Sequence, residues 1–96
     1  MKKLNVMEIM PVDGRKSFYG KAQVFTVGNR HVLRSYDTFV GEINSKGEFL
    51  RYWSGESATT MRHVNAFLRA FGVDGGGVNW WRNQPVKKFD YYKFAF

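Results

Sequence analysis

The sequence predicts an α+β domain: an antiparallel β-meander of four to five strands with one amphipathic helix packed on one face, then a short C-terminal helical turn and an aromatic tail. Three observations carry that expectation. Up to Trp53 the chain runs in short stretches of β-formers divided by turn signals. Residues 57–71 then switch to a helical period with a start and a stop written in. The chain has 96 residues, the size of one domain with one modest core, so residues 1–96 read as a single unit.

The elements follow in order. Residues 4–10 alternate loosely and form a first strand. Pro11-Val-Asp-Gly14 is a turn, because proline fixes φ and glycine tolerates a positive one. Residues 15–20 are a loop carrying Phe18 and Tyr19. Residues 21–27 are a strand rich in β-formers, Val24, Phe25, Thr26 and Val27. Gly28-Asn29 is a two-residue hairpin signal. Residues 30–36 return, with Val32, Arg34 and Tyr36 on one face and His31, Leu33 and Ser35 on the other. Asp37-Thr38 breaks the run as a tight turn or a bulge. Residues 39–43 continue, with Phe39, Gly41 and Ile43 facing one way. Asn44-Ser-Lys-Gly47 is a hairpin loop, and residues 48–53 close the meander.

Ser57 is the expected N-cap of the helix, with Ser54 as its rival. Met61, Val64, Leu68 and Phe71 make one apolar stripe with Phe67 beside it, and Arg62, Ala66 and Arg69 fall on the opposite side. Gly72 suits the position just past the helix end. Residues 74–77, Asp-Gly-Gly-Gly, read as a flexible connector. Residues 78–83 form a short helical turn that Pro85 stops. Residues 87–96 alternate charge with aromatics, as a last strand or a tail docked on the body.

Fifteen basic residues against eight acidic ones give a net charge of +7, which favours acidic partners: nucleic acid or an acidic protein surface. The absence of cysteine excludes disulfides, thiolate chemistry and classical zinc fingers, and fits a reducing compartment. The N-terminal apolar residues are interrupted by Asn5 and Glu8, unlike a signal peptide. No run approaches the roughly 18 apolar residues that span a bilayer. The expected setting is soluble and cytoplasmic, with no membrane partner.

Catalytic and cofactor motifs are missing. Gly75-Gly76-Gly77 lacks both the Lys-Ser/Thr of a P-loop and the glycine spacing of a dinucleotide site. His31 and His63 have no partner at metal-ligand spacing, and the ring of His63 packs at the edge of the apolar stripe. A small hydrolase or metal enzyme would need a carboxylate to meet one of them in space. There is no nucleophile elbow. Asp37 and Glu42 lie five residues apart, hence on opposite faces of a regular strand unless a bulge intervenes. The expectation is a non-enzymatic protein with no catalytic residues, no cofactor and no metal.

What remains is basic and aromatic. Lys2, Lys3, Arg15, Lys16 and Lys21 cluster early. Arg82, Lys87, Lys88 and Lys93 cluster late, among Trp80, Trp81, Phe89, Tyr91 and Tyr92. Such a pattern suits single-stranded nucleic acid, where rings stack on bases, or a protein partner, where Trp, Tyr and Arg dominate hot spots.

The segments Ser35-Tyr-Asp-Thr38 and Ser57-Ala-Thr-Thr-Met-Arg-His63, in the order in which they occur, resemble a family of small, functionally uncharacterised proteins of Firmicutes genomes and their phages. The resemblance covers roughly residues 4 to 86 and leaves the aromatic tail outside it. It implies a mobile-element setting and a bacterial host cytoplasm, where such proteins bind host machinery and some inhibit defence nucleases. Within these segments Asp37 is expected to bond its own backbone in the turn. Arg62 and His63 have no capping role. The partner-binding candidates are therefore Arg62, His63 and Arg69 on the helix, with Trp80, Trp81, Arg82, Lys87, Lys88, Tyr91 and Tyr92 after it. The leading expectation is a phage- or prophage-type binder of a host protein or nucleoprotein, possible as a defence inhibitor. The alternative is a nucleic-acid-binding accessory protein that contacts the phosphate backbone.

Overall fold

The computed structural model describes residues 4–10 and 20–90. Five strands, β1 (Leu4–Glu8), β2 (Ala22–Val27), β3 (Arg30–Ser35), β4 (Thr38–Ile43) and β5 (Phe49–Arg51), precede helices α1 (Ala58–Ala70) and α2 (Val78–Arg82). The strands form one antiparallel sheet in sequence order, so the expected meander has five strands. The expectations for the Pro11–Gly14 turn and the Phe18–Tyr19 loop lie outside the described residues. So do those for the lysines and arginines at positions 2, 3, 15, 16 and 93, and for Tyr91 and Tyr92.

The turns follow from local chemistry. Gly28, at φ 59°, turns β2 into β3. In the β4–β5 loop Asn44 Oδ1 accepts from Lys46 N at 3.0 Å and Glu48 N at 2.9 Å, while Gly47 takes φ 79°. The β3–β4 turn is Tyr36-Asp37, and Tyr36 holds φ 55°, a conformation that costs a non-glycine residue free energy. The carboxylate of Asp37 accepts from Arg34 Nη2 at 3.1 Å instead of from its own backbone.

One irregularity decides what each sheet face carries. Between β3 and β4, Leu33 pairs with Gly41 but Arg34 pairs with Phe39, so Val40 is the extra residue of a bulge. The bulge flips the alternation. Val40, Gly41 and Ile43 turn toward the helix, and Phe39 points the other way, correcting the expectation that Phe39, Gly41 and Ile43 share a face. A glycine is required at 41, because a Cβ there would stand 2.8 Å from Leu50 O and run into the Phe49 ring.

α1 packs on one face through Met61, Val64, Phe67 and Leu68, against Ala22, Val24, Leu33, Val40 and Ile43. Ser57 Oγ accepts from Thr60 N at 3.1 Å, which settles the N-cap. At the far end Gly72 N donates to Arg69 O (3.2 Å) and Val73 N to Leu68 O (2.9 Å), the paired bonds of a Schellman stop. Ala66, expected outside with the arginines, joins the core. The buried arc runs from Ala66 through His63 and Phe67 to Met61, roughly 220° at 100° per residue, wider than a simple stripe.

The glycine run connects α1 to α2 along a path that its torsions define. Gly75, Gly76 and Gly77 take φ 132°, 106° and 87°, and Gly77 N donates to Asn65 Oδ1 at 3.1 Å. Only glycine fits this path: a Cβ on Gly76 would sit 2.7 Å from Asn65 Oδ1. The loop delivers α2 to the end of the sheet, where Trp81 is completely buried. Past it, Val86 bridges Arg51 in parallel and Lys87 N donates to Arg51 O at 2.7 Å, so the tail is docked as far as it is described.

Gly41→Ala tests the bulge. The added methyl has no free space, and the fold should lose about 1–3 kcal/mol in a urea titration. A cost under about 0.5 kcal/mol would contradict the close approach of Phe49.

Candidate functional site

The expected contact residues separate into two groups. Trp81 and His63 belong to the core, at 0% and 1% exposure, so neither can meet a partner; that corrects both assignments. Trp80 is half-buried on Phe49, with ring centroids 5.0 Å apart. Arg62 is half-buried and Arg69 exposed. Arg82 is exposed but committed to Glu56, its Nε and Nη2 each 2.8 Å from a carboxylate oxygen; these bonds raise the arginine's pKa and lower the acid's. Lys87 and Lys88 are exposed. The structure does not gather these residues into one patch: the helix arginines lie over one face and the lysines at the far edge.

Trp81 is buried because Arg51 needs it. Arg51 is 7% exposed, and its guanidinium lies 4.3 Å from the Trp81 ring. It donates to Trp53 O (2.7 Å), Ser54 O (2.9 Å), Gly55 O (3.3 Å) and Trp81 O (2.9 Å), with Gln84 O at 3.5 Å. Trp81 Nε1 donates in turn to Gly55 O at 2.9 Å. This is structural work. The sequence gives no sign of it beyond an arginine at an inward-facing strand position.

The buried histidine likewise has a structural post. Ser35 Oγ lies 2.7 Å from His63 Nδ1 and 3.2 Å from Thr60 Oγ1, and all three residues are at most 5% exposed. A serine beside a histidine is the start of a nucleophile–base pair, yet here α1 is closed down on it. The cluster joins the two family-like segments, Ser35 from one and Thr60 and His63 from the other. Burial lowers the pKa of His63. His31 stacks on Phe71 at 4.3 Å, and burial lowers its pKa too, against a smaller upward pull from Glu42. Among the described residues no group of three acidic or histidine side chains could hold a metal ion. The bulge does alter the Asp37–Glu42 geometry, but Asp37 lies in the turn with its side chain 97% exposed, and Glu42 is buried.

The opposite sheet face is the surface left to work with, since no described helix lies on it. Phe25 from β2, Phe39 from β4, Tyr52 after β5 and Phe89 from the tail form a connected row. Phe25 meets Phe39 edge-on at 5.4 Å, Phe39 meets Phe89 at 5.1 Å, and Phe89 meets Tyr52 at 4.9 Å. All four are partly exposed, and Phe25, Phe39 and Phe89 roof Val27 and Val32. Beside them Glu42, 1% exposed, accepts from Arg30 Nε at 2.6 Å and Nη2 at 2.7 Å, and from the Tyr52 hydroxyl. Burial first, then the bond to Glu42, raises the Tyr52 pKa, so the phenol stays a donor; the bond to Glu42 also raises that of Arg30. Arg30 is thus held by Glu42 on this face with a third of its side chain exposed.

Residues 7–83 match a family of unknown function, DUF8033. The chain belongs to that family. No curated protein and no solved structure matches it. The DUF8033 match includes the Ser35–Thr60–His63 cluster, Arg51, and the Phe25, Phe39 and Tyr52 part of the row; Lys87, Lys88 and Phe89 lie past it. No described helix of this DUF8033 chain is long and apolar enough to cross a membrane.

Two outcomes are expected. Arg51→Met takes the Arg51 donors from the Trp53 and Ser54 carbonyls and the cation from the Trp81 ring, and should cost about 3–5 kcal/mol in a urea titration, with tryptophan fluorescence shifted to the red. His63 stays neutral in the fold below the pH at which an unfolded histidine, near about 6.5, takes up a proton. The unfolded chain therefore binds more protons as pH falls. The contribution of His63 is whole above about pH 6.5 and lost progressively below it. His63→Gln should flatten the fall in unfolding free energy between about pH 7.5 and 5, whatever it does to stability at pH 7.5.

Proposed function

We propose that this protein is a non-enzymatic binding protein whose working surface is the open sheet face, and that its ligand is single-stranded nucleic acid. The observation that carries the reading is the row Phe25–Phe39–Phe89–Tyr52 beside Arg30, with exposed Lys87 and Lys88 following at the β5 edge. Partly exposed rings on a flat sheet offer bases a surface to stack on, and neighbouring cations meet the phosphates. The net charge of +7 supports the same class of ligand.

A protein partner loses ground because one of the two tryptophans that would anchor it, Trp81, is in the core, and the other leans on Phe49. Glu42 offsets the charge of Arg30, so the lysines contribute the net charge of this surface. The resemblance to small proteins of Firmicutes genomes and their phages supports a mobile-element setting. There such a protein would act on nucleic acid or a nucleoprotein in the host cytoplasm.

Fluorescence anisotropy with labelled oligothymidylate and an RNA of matched length tests the proposal. Affinity should fall steeply with salt, and Lys87→Ala and Lys88→Ala should each reduce the log–log slope by about one. Phe25→Leu keeps an apolar group over Val27 but removes a ring, and should cost about 1–3 kcal/mol of binding. Absence of binding at low salt defeats the proposal. A host protein that stays bound to the tagged chain after nuclease treatment would replace it with the protein-partner reading.

A further inference from the structure

The outer edge of β1 carries a second surface. β1 pairs only with β2 among the described strands, and all five of its residues are exposed. Leu4, Val6, Met7 and Met10 are 45%, 51%, 47% and 53% exposed, and they make up most of the large exposed apolar side chains among the described residues. Apolar residues on an unpaired edge are what natural sheets avoid unless something pairs there. The other edge of the sheet is treated differently, since Val86 bridges Arg51 of β5 and Lys87 N donates to Arg51 O.

From this geometry we infer that two copies of the chain join through their β1 strands, antiparallel, into one continuous sheet. The hydrogen bonding fits. Ile9 N donates inward to Ala22 O, so by alternation residues 5 and 7 also bond to β2, and the backbone groups of Leu4, Val6 and Glu8 point outward. A two-fold axis through Asn5 and normal to the sheet sets Leu4 of each copy opposite Val6 of the other. Both side chains lie on the open face, in line with Phe25, because Val6 is directly opposite Phe25 in the β1–β2 register. Asn5 meets Asn5, and an amide is both donor and acceptor, so the pair satisfies itself. A register about Val6 would instead set Leu4 against Glu8. Pairing of β1 with β1 about a two-fold axis is isologous: each copy uses the same edge, and the assembly closes at two copies. That closure favours a second copy as the occupant. The axis keeps both open faces on the same side, so the dimer presents one platform of double width.

Sedimentation equilibrium of the full chain at micromolar to millimolar concentration tests the inference. The expected species is a dimer of twice 11.2 kDa, with the amides of Leu4 and Val6 protected from hydrogen exchange as concentration rises. Val6→Lys places a charge opposite Leu4 at a position half exposed in the monomer. It should halve the mass while the far-UV circular dichroism stays unchanged. Leu4→Glu gives an independent second variant. A wild-type chain that sediments as a monomer throughout overturns the inference. So does a dimer that persists in both variants, or one that forms without protection of Leu4 and Val6.

Discussion

A guanidinium taken out of water costs several kcal/mol unless its donors are met, and Arg51 meets that demand with carbonyls from three separate stretches of chain. Trp53, Ser54 and Gly55 come from the link between β5 and α1, Trp81 from α2, and Gln84 from the turn after it. Trp81 O also accepts from Gln84 N at 3.1 Å and Gly55 O from the Trp81 indole, and Arg51 supplies the other donors. The arginine therefore acts as the hydrogen-bonding partner that irregular backbone needs when it is buried. Once it is in place, the indole of Trp81 has a cation to lie on and Gly55 O to donate to, and α2 is fixed over Phe49. The tail then pairs with the backbone of the same residue, through Lys87 N and Arg51 O. Side chain and main chain of one residue thus organise both sides of the β5 edge.

From that edge the two faces diverge. The helix face is a conventional apolar core with one polar inclusion, Ser35–Thr60–His63. The open face has a small cluster of its own, Val27 and Val32 under aromatic rings, and a buried acid held by Arg30 and Tyr52. The bulge at Val40 makes this division possible. It sends Val40 inward to the helix and leaves Phe39 outward, where it joins Phe25 and Phe89. Without the extra residue, a regular strand that kept Gly41 and Ile43 inward would also turn Phe39 into the core and Val40 onto the open face.

The sequence makes the elements legible where local chemistry alone decides. Ser57, Gly72, Gly28 and Gly47 each satisfy a backbone requirement within a few residues, and each lies where the pattern places it. The parity of Phe39 was not legible, because a bulge leaves no composition signal in Phe39-Val-Gly-Glu-Ile43. The core positions of His63, Ala66 and Trp81 were hidden for a different reason. A helical wheel ranks residues by polarity, whereas burial here follows long-range partners: Ser35 for His63 and Arg51 for Trp81. The candidate site suffers in the same way. Trp80 and Trp81 read as contact residues because they sit among basic residues in sequence, and the open-face row escaped notice because its members come from four separated segments. Only the charge, and the general alliance of basic residues with rings, carried over.

The distribution of exposed groups argues that the two sheet edges have different jobs. At β5 the chain's own continuation bridges Arg51 through Val86 and Lys87, and Phe89 beyond them turns onto the open face. At β1 no described strand pairs with the outer edge, and Glu8 is the one charge in the strand, its carboxylate already engaged by Gly20 N at 2.9 Å. An edge protected against association carries charge or a covering segment; β5 has Arg51 bridged by the segment after α2, whereas β1 has one acid, already engaged, and no covering segment among the described residues. If the open face takes an extended, many-residue ligand, joining two faces through β1 lengthens the platform without building a new site. The second face then binds an already tethered strand at a raised effective concentration. A modest affinity per face, which is all that partly exposed phenyl rings supply, would then suffice.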